Sequence, residues 1–206
     1  MSRAFCYQCR RASVACLCGR IEPQQNQVRV VVLQHPDEVS HARGSAIIAE
    51  LGLQQYTCWV GEDFTEHAPL QQLLQAHENE RADELVLVFP AEQARSLQQL
   101  KAEKPVKTLL FIDASWRKAR KIWQTNPQLQ RLNCCYLEPS QPSAYRIRKV
   151  PRPGYLSTLE SIVEALRIVE DAPTAYQPML ELFTEMIDFQ IEQMGAQTYK
   201  KHYQDK

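Results

Sequence analysis

From Lys107 to Trp123 the chain reads KTLLFIDASWRKARKIW, and the abrupt change of character inside that stretch limits what it can fold into. Leu109-Leu110-Phe111-Ile112 is too short for a free-standing helix and too apolar for a surface, so it reads as a buried strand bounded by Pro105 and Asp113. It stops on a carboxylate, and Ser115, Trp116, Arg117, Lys118, Arg120 and Lys121 follow in close succession. Four more runs have strand character: VRVVVL at 28–33, Tyr56–Val60, LVLVF at 85–89 and LNCCYL at 132–137. Between them lie segments of helical spacing, SAIIAELGL at 45–53 closing on Gly52 and a weaker, acidic stretch at 64–81 expected to face away from nucleic acid. Strands alternating with helices specify an α/β fold with a mainly parallel sheet.

In open α/β sheets, ligands bind just outside the carboxyl ends of the strands. Asp113, the loop His35-Pro36-Asp37-Glu38 and the loop Pro90-Ala91-Glu92 all fall at such ends. Each residue also has a plain structural use. Asp113 can cap the following helix, His35 can be a loop residue, Glu92 can stabilise a first helical turn, and Trp116 can be core. The order carboxylate, aromatic, cations at one strand-to-helix junction nevertheless suits an enzyme that acts on a nucleic acid. No G-x-G-x-x-G occurs, so a Rossmann nucleotide site has no support.

The charge distribution points the same way. Lys and Arg number 24, as do Asp and Glu, yet residues 114–152 hold nine cations and one acid, Glu138. A basic segment on an acidic body is the footprint of a phosphate-backbone binder. Its cations are Arg117, Lys118, Arg120, Lys121, Arg146, Arg148 and Lys149, with Arg131 and Arg152. The last part, 138–155, carries Pro139, Pro142, Pro151, Pro153 and Gly154 and no helical period; a long irregular segment in a compact domain is usually functional or disordered.

After it, Ser157 and Glu160 make a capping box for a helix reaching about Glu170. The free N–H groups and hydroxyls of that helix start also suit a cofactor carboxylate. A Met- and Phe-bearing amphipathic helix at 176–194 would cover the core or form a dimer face. Cys134 and Cys135 alternate along their strand and read as small core residues.

No run approaches 18 apolar residues and the N-terminus has no signal-peptide stretch, so a cytoplasmic protein without membrane contact is expected. Structural disulfides are therefore disfavoured. Cys6, Cys9, Cys16 and Cys18, spaced C-x2-C-x6-C-x-C, suit four-thiolate tetrahedral coordination of structural Zn(II), although a redox cluster or unligated thiols would share the spacing. The division expected is a small four-cysteine zinc-binding segment at 1–24 and an α/β domain at 25–206. Arg10 and Arg11, between the ligands, are open to RNA phosphate or to solvent.

Asp113-Ala114-Ser115-Trp116 with Arg117-Lys118-Ala119-Arg120-Lys121-Ile122 resembles the signature of the DTW-domain family, tRNA-uridine aminocarboxypropyltransferases, with Ser115 where Thr is usual. The cysteine cluster, the His and Glu after the first strand, Pro90-Ala91-Glu92 and Thr158-Leu159-Glu160 are similar too, the last followed by Ser161 where Ala is usual. The resemblance implies a SPOUT-like fold whose carboxyl-terminal segment forms a trefoil knot around S-adenosylmethionine. It implies Asp113, Ser115 and Trp116 as catalytic positions; because the uridine N3–H must be lost as N3 attacks, Asp113 is expected to act as general base. It implies cofactor contacts from Phe89, Pro90, Glu92, Asp113, Leu137, Pro139, Leu156, Ser157, Thr158 and Glu160, with His35 and Glu38 in the pocket. The implied reaction moves the 3-amino-3-carboxypropyl group to N3 of a uridine in tRNA, and no DNA partner is implied. An RNA methyltransferase with the same fold and cofactor remains open, as does a zinc-ribbon RNA-binding module without chemistry.

Overall fold

The computed structural model describes residues 4–80, 84–139, 141–148 and 155–204. A two-stranded antiparallel hairpin, β1 (Phe5–Cys6) and β2 (Arg11–Ala12), opens the chain. There follow β3 (Arg29–Gln34), α1 (Ala46–Gly52), β4 (Tyr56–Val60), α2 (Ala68–Glu80) and β5 (Glu84–Val88). Next come β6 (Arg95–Ser96), α3 (Leu97–Glu103), β7 (Val106–Asp113), α4 (Trp116–Thr125) and β8 (Asn133–Tyr136). The chain closes with α5 (Thr158–Val169), α6 (Gln177–Met194) and the short α7 (Ala196–Tyr199). Six strands form one parallel sheet in the order β4-β3-β7-β5-β8-β6. Five of them are the expected strands; β6 and α3 are additions, although Ser96 and Gln99 form a capping box that the sequence spells out.

The central strands are apolar throughout because both sheet faces are covered. Val30 and Val32 of β3, Val86 of β5, and Leu109 and Phe111 of β7 pack beneath α1, α3, α5 and α6. Their alternates Val31, Leu33, Leu85, Leu87 and Leu110 pack against Leu70 and Leu74 of α2 and Ile122 of α4. The stretch at 64–81 is thus a core-facing helix and not merely polar. In α6, Met179, Leu182, Phe183, Met186 and Ile187 are buried in the first of these layers, so the apolar face of this helix covers the core.

Period-two alternation decides where the polar strand ends point. Gln34 continues the face of Val30 and Val32, Asp113 that of Leu109 and Phe111, and the two are register partners. Strands β3 and β7 are neighbours, yet the helices that follow them, α1 and α4, go to opposite faces of the sheet. Their carboxyl ends therefore flank a topological switch point, where crevices form in such sheets.

Candidate active site

Asp113 is 6% exposed and makes no bond to a local backbone amide. Its Oδ2 accepts from Gln34 Nε2 at 2.8 Å, and its Oδ1 accepts from Thr158 Oγ1, the first residue of α5, at 2.6 Å. A buried carboxylate needs such donors to offset its lost hydration. The helix-cap alternative is not what is seen: Ser115 holds the N-cap position of α4, without a side-chain bond. Behind Gln34, Cys58 Sγ lies 3.9 Å from Gln34 Oε1. Burial pushes the Cys58 thiol up to about 12 and holds Tyr56 well above the usual phenol range, so both stay neutral beside the carboxylate.

Beside this network the ends of β5, β7 and β8 and the start of α5 enclose two adjoining cavities. The larger, about 410 Å³, is walled by Phe89, Pro90, Trp116, Leu137, Pro139, Tyr155 and Leu156, with Glu138 as its acid. That volume is in the range of small-ligand sites. The smaller, about 70 Å³, shares Phe89, Pro90, Trp116 and Leu156 and adds Ala114, Thr158 and Arg148. Trp116 meets Tyr155 edge to face, with ring centroids 4.2 Å apart, and this pair forms one corner of the cleft. A larger groove of about 540 Å³ lies between α5 and α6 and shares Pro139 and Leu156 with the 410 Å³ cavity. Its lining includes Glu160, Glu164, Glu181 and Glu185, which disfavours nucleic acid there.

Several sequence candidates serve other contacts. Ser157 caps α5, and Glu160 accepts from the N–H groups of Ser157 and Ala144 and from Ser143 Oγ, pinning the preceding loop to the helix. Glu92 is exposed in its turn and lines neither cavity. His35 is buried: its Nδ1 accepts from the Asp37 N–H at 3.1 Å, and Nε2 lies 2.9 Å from Glu62 Oε1. Glu38 lies apart from the cleft, beside a void near Arg10 and Arg11. Gln34 and Tyr155 are site residues that sequence reasoning misses. Gln34 carries a signal, since it ends a β-branched run as Asp113 ends an apolar one.

The basic ridge is partly neutralised. Lys118 pairs with Asp37, Lys121 with Glu62 and Arg146 with Asp188. Hydrogen bonds from those lysines hold Asp37 and Glu62 below the usual carboxylate range. Arg117 and Arg120 are exposed and make no ion pair among the described residues. Lys149 and Arg152, with Pro151, Pro153 and Gly154, lie outside the described residues.

The Sγ atoms of Cys6, Cys9, Cys16 and Cys18 all lie within 4.8 Å of one another, with Cys6–Cys18 and Cys9–Cys16 at 3.7 Å. Four sulfurs about 2.3 Å from one tetrahedral ion stand about 3.8 Å apart, so the group fits a metal of that geometry. Within the cluster the Cys9 backbone amide draws the Cys6 thiol down to about 6, whereas burial pushes Cys18 up to about 12, so the case for a metal rests on the converging sulfurs. Arg10 and Arg11 are not phosphate contacts. Arg10 forms a two-pronged pair with Glu50 of α1, and the buried Arg11 donates to the carbonyls of Ala42 and Gly44. Cys9 and Leu17 belong to the same buried layer as α1 and α5, so the knuckle rests on the sheet domain.

These features define an α/β protein with a ligand cleft at the switch point of a parallel sheet and a metal-competent cysteine knuckle against it. The chain belongs to the DTW domain family, whose model it matches over residues 3–191. It is 28% identical to a Drosophila melanogaster protein named tRNA-uridine aminocarboxypropyltransferase 2, over 98% of this chain and 80% of the relative. Proteins of the same name from Mus musculus and Macaca fascicularis are 28% and 27% identical, over 95% of this chain and 66% of each relative. No solved structure matches it. Among the described residues no helix is long and apolar enough to cross a membrane.

Proposed function

We propose that this chain is a tRNA-modifying transferase that moves the 3-amino-3-carboxypropyl group of S-adenosylmethionine to N3 of a uridine in tRNA. The observation that carries this is Asp113, buried at the switch point and bonded to Thr158, whose side chain lines the cleft that Trp116 walls. The names of the relatives support the substrate and the group transferred. When bound, S-adenosylmethionine supplies an electrophilic γ-carbon whose bond to sulfur breaks with its electron pair going to sulfur, leaving methylthioadenosine.

The apolar walls formed by Phe89, Pro90, Leu137, Pro139 and Leu156 would hold the adenosyl part and exclude water. The imide N3–H of the uridine must lose its proton as N3 attacks. Asp113 does not itself line either cavity. Thr158 Oγ1 stands between, so the hydroxyl accepts the N3 proton while passing its own to Asp113 Oδ1. General-base help of this kind typically contributes 10² to 10⁴ fold. Trp116 and Tyr155 would present the uracil, base-aromatic stacking being worth about 1–3 kcal/mol. Arg117 and Arg120, then Lys118, Lys121 and Arg146 once their carboxylates yield, would meet tRNA phosphates. The knuckle would carry structural Zn(II), a closed four-thiolate site with no position left for water. The segment expected to form the trefoil knot lies partly outside the described residues.

The test is incubation with tRNA and cofactor labelled either on the methyl or on the aminocarboxypropyl carbons, with the nucleosides then identified by mass. Label from the second position in a uridine supports the reading. Label from the first makes the chain a methyltransferase, and label from neither leaves only RNA binding.

A further inference from the structure

We infer that Arg148 anchors the α-carboxylate of the cofactor's amino-acid arm and so decides which carbon on sulfur faces the uridine. This rests on the function proposed above. Among the described residues, Arg148 is the one cation lining either compartment of the cleft. It is half-buried, with its guanidinium 5.6 Å from the centre of the Tyr145 ring and Nη2 3.4 Å from the Ala114 carbonyl oxygen. Its head is thus held over an aromatic face and against the loop that follows β7, beside Thr158.

Neighbouring cations behave differently. Arg146 pairs with Asp188, while Arg117 and Arg120 stand exposed on α4. No carboxylate among the described residues pairs with Arg148. A guanidinium partly withdrawn from water without a counter-anion is a ready carboxylate site, because its planar fork can bind both oxygens at once.

The two compartments differ in what they can hold. The smaller, at about 70 Å³, has room for roughly two waters, enough for a carboxylate and its neighbouring atoms and too little for a nucleoside. The larger is walled mainly by apolar and aromatic side chains, with Glu138 as its one charged residue among those described and Ser161 also lining it, and suits an adenosyl group. A carboxylate seated on Arg148 draws the arm toward the compartment that Thr158 lines. The γ-carbon, rather than the methyl, then lies on the side of the proton acceptor. Arg148 therefore acts in the cleft and not as the phosphate contact that its place in a basic segment suggests.

The test is calorimetric titration of wild-type, Arg148→Leu and Arg148→Lys protein with three ligands. These are S-adenosylmethionine, its decarboxylated analogue and methylthioadenosine, which lacks the whole arm. Arg148→Leu is expected to lose about 10-fold or more in affinity for S-adenosylmethionine, with methylthioadenosine unchanged as the internal control for an intact cleft. Wild-type protein should bind the decarboxylated analogue about as weakly as Arg148→Leu binds the parent, and Arg148→Lys should fall between. Equal weakening toward all three ligands, or unchanged affinity together with a shallower salt dependence of tRNA binding, overturns the assignment and leaves the cofactor reading standing. Wild-type protein that binds none of them overturns both.

Discussion

Gln34 and Asp113 end adjacent parallel strands in register, and their side chains meet at 2.8 Å on the face that α5 covers. Because the Gln34 amide has one donor end and one acceptor end, Cys58 behind it helps fix which end faces the carboxylate. Gln34→Leu removes one of the two donors Asp113 has and leaves that oxygen buried without a partner. Urea unfolding should register a loss of roughly 1–3 kcal/mol. Below the unfolding transition, kcat should fall about 10-fold or more while KM for tRNA holds, since misplacement of a reacting group affects the chemical step. A kcat equal to wild type would mean that the pair only supports the fold.

The link between Asp113 and Thr158 gives a sharper test. Asp113→Asn should abolish turnover while S-adenosylmethionine still binds, and Thr158→Val should lower kcat by about 10² to 10⁴ fold. Thr158→Ser, which keeps the hydroxyl, should restore most of the rate. Single-turnover kinetics on saturated enzyme isolates this step. An active Asp113→Asn protein would remove the base from the mechanism.

Much of this is legible in the chain because the sheet is buried on both faces. Unbroken apolar runs that stop on polar residues mark both a central strand and its carboxyl end, which locates Asp113 and the α/β class. What cannot be read is which polar residues use their groups on one another. His35, Ser157 and Glu160 look like chemistry in sequence, yet their polar atoms are engaged in capping and in holding loops. Arg10 and Arg11 look like RNA contacts and are internal anchors. The capping box of Ser157 and Glu160 is local and legible, but the partners of Arg10, Arg11 and Lys118 lie far off in the chain, so no local pattern announces them.

Those long-range pairs bear on RNA binding. Asp37 and Glu62 each hold a lysine of α4 that would otherwise face phosphate. Asp37→Asn with Glu62→Gln should therefore tighten tRNA binding and steepen its dependence on salt by up to about two units of slope. Arg117→Ala or Arg120→Ala should each flatten it by about one. Their lysine partners keep both acids ionised below the usual carboxylate range, so acidification frees the lysines only as pH falls through those lowered values. Filter binding across a salt series reads all of this. Unchanged slopes would place the tRNA on another face.

The seven cysteines should divide by reactivity. Burial pushes Cys58 and Cys135 up to about 12 and raises Cys134, so these three stay protonated and slow toward thiol reagents near neutral pH. Cys6, Cys9, Cys16 and Cys18 converge on one point, and a metal held there would keep them from the reagent. Metal-loaded protein should thus show no fast thiol, and a chelator should release four in a first phase together with about one equivalent of zinc. Loss of the metal should also loosen the knuckle from α1 and the 42–44 loop, because the Arg10–Glu50 pair and the bonds of Arg11 need β1 and β2 held in place. The thermal midpoint should therefore fall on chelation and recover on adding zinc. Fast reaction of all four thiols before chelation, with no metal in the purified protein, would make the cluster a redox centre instead.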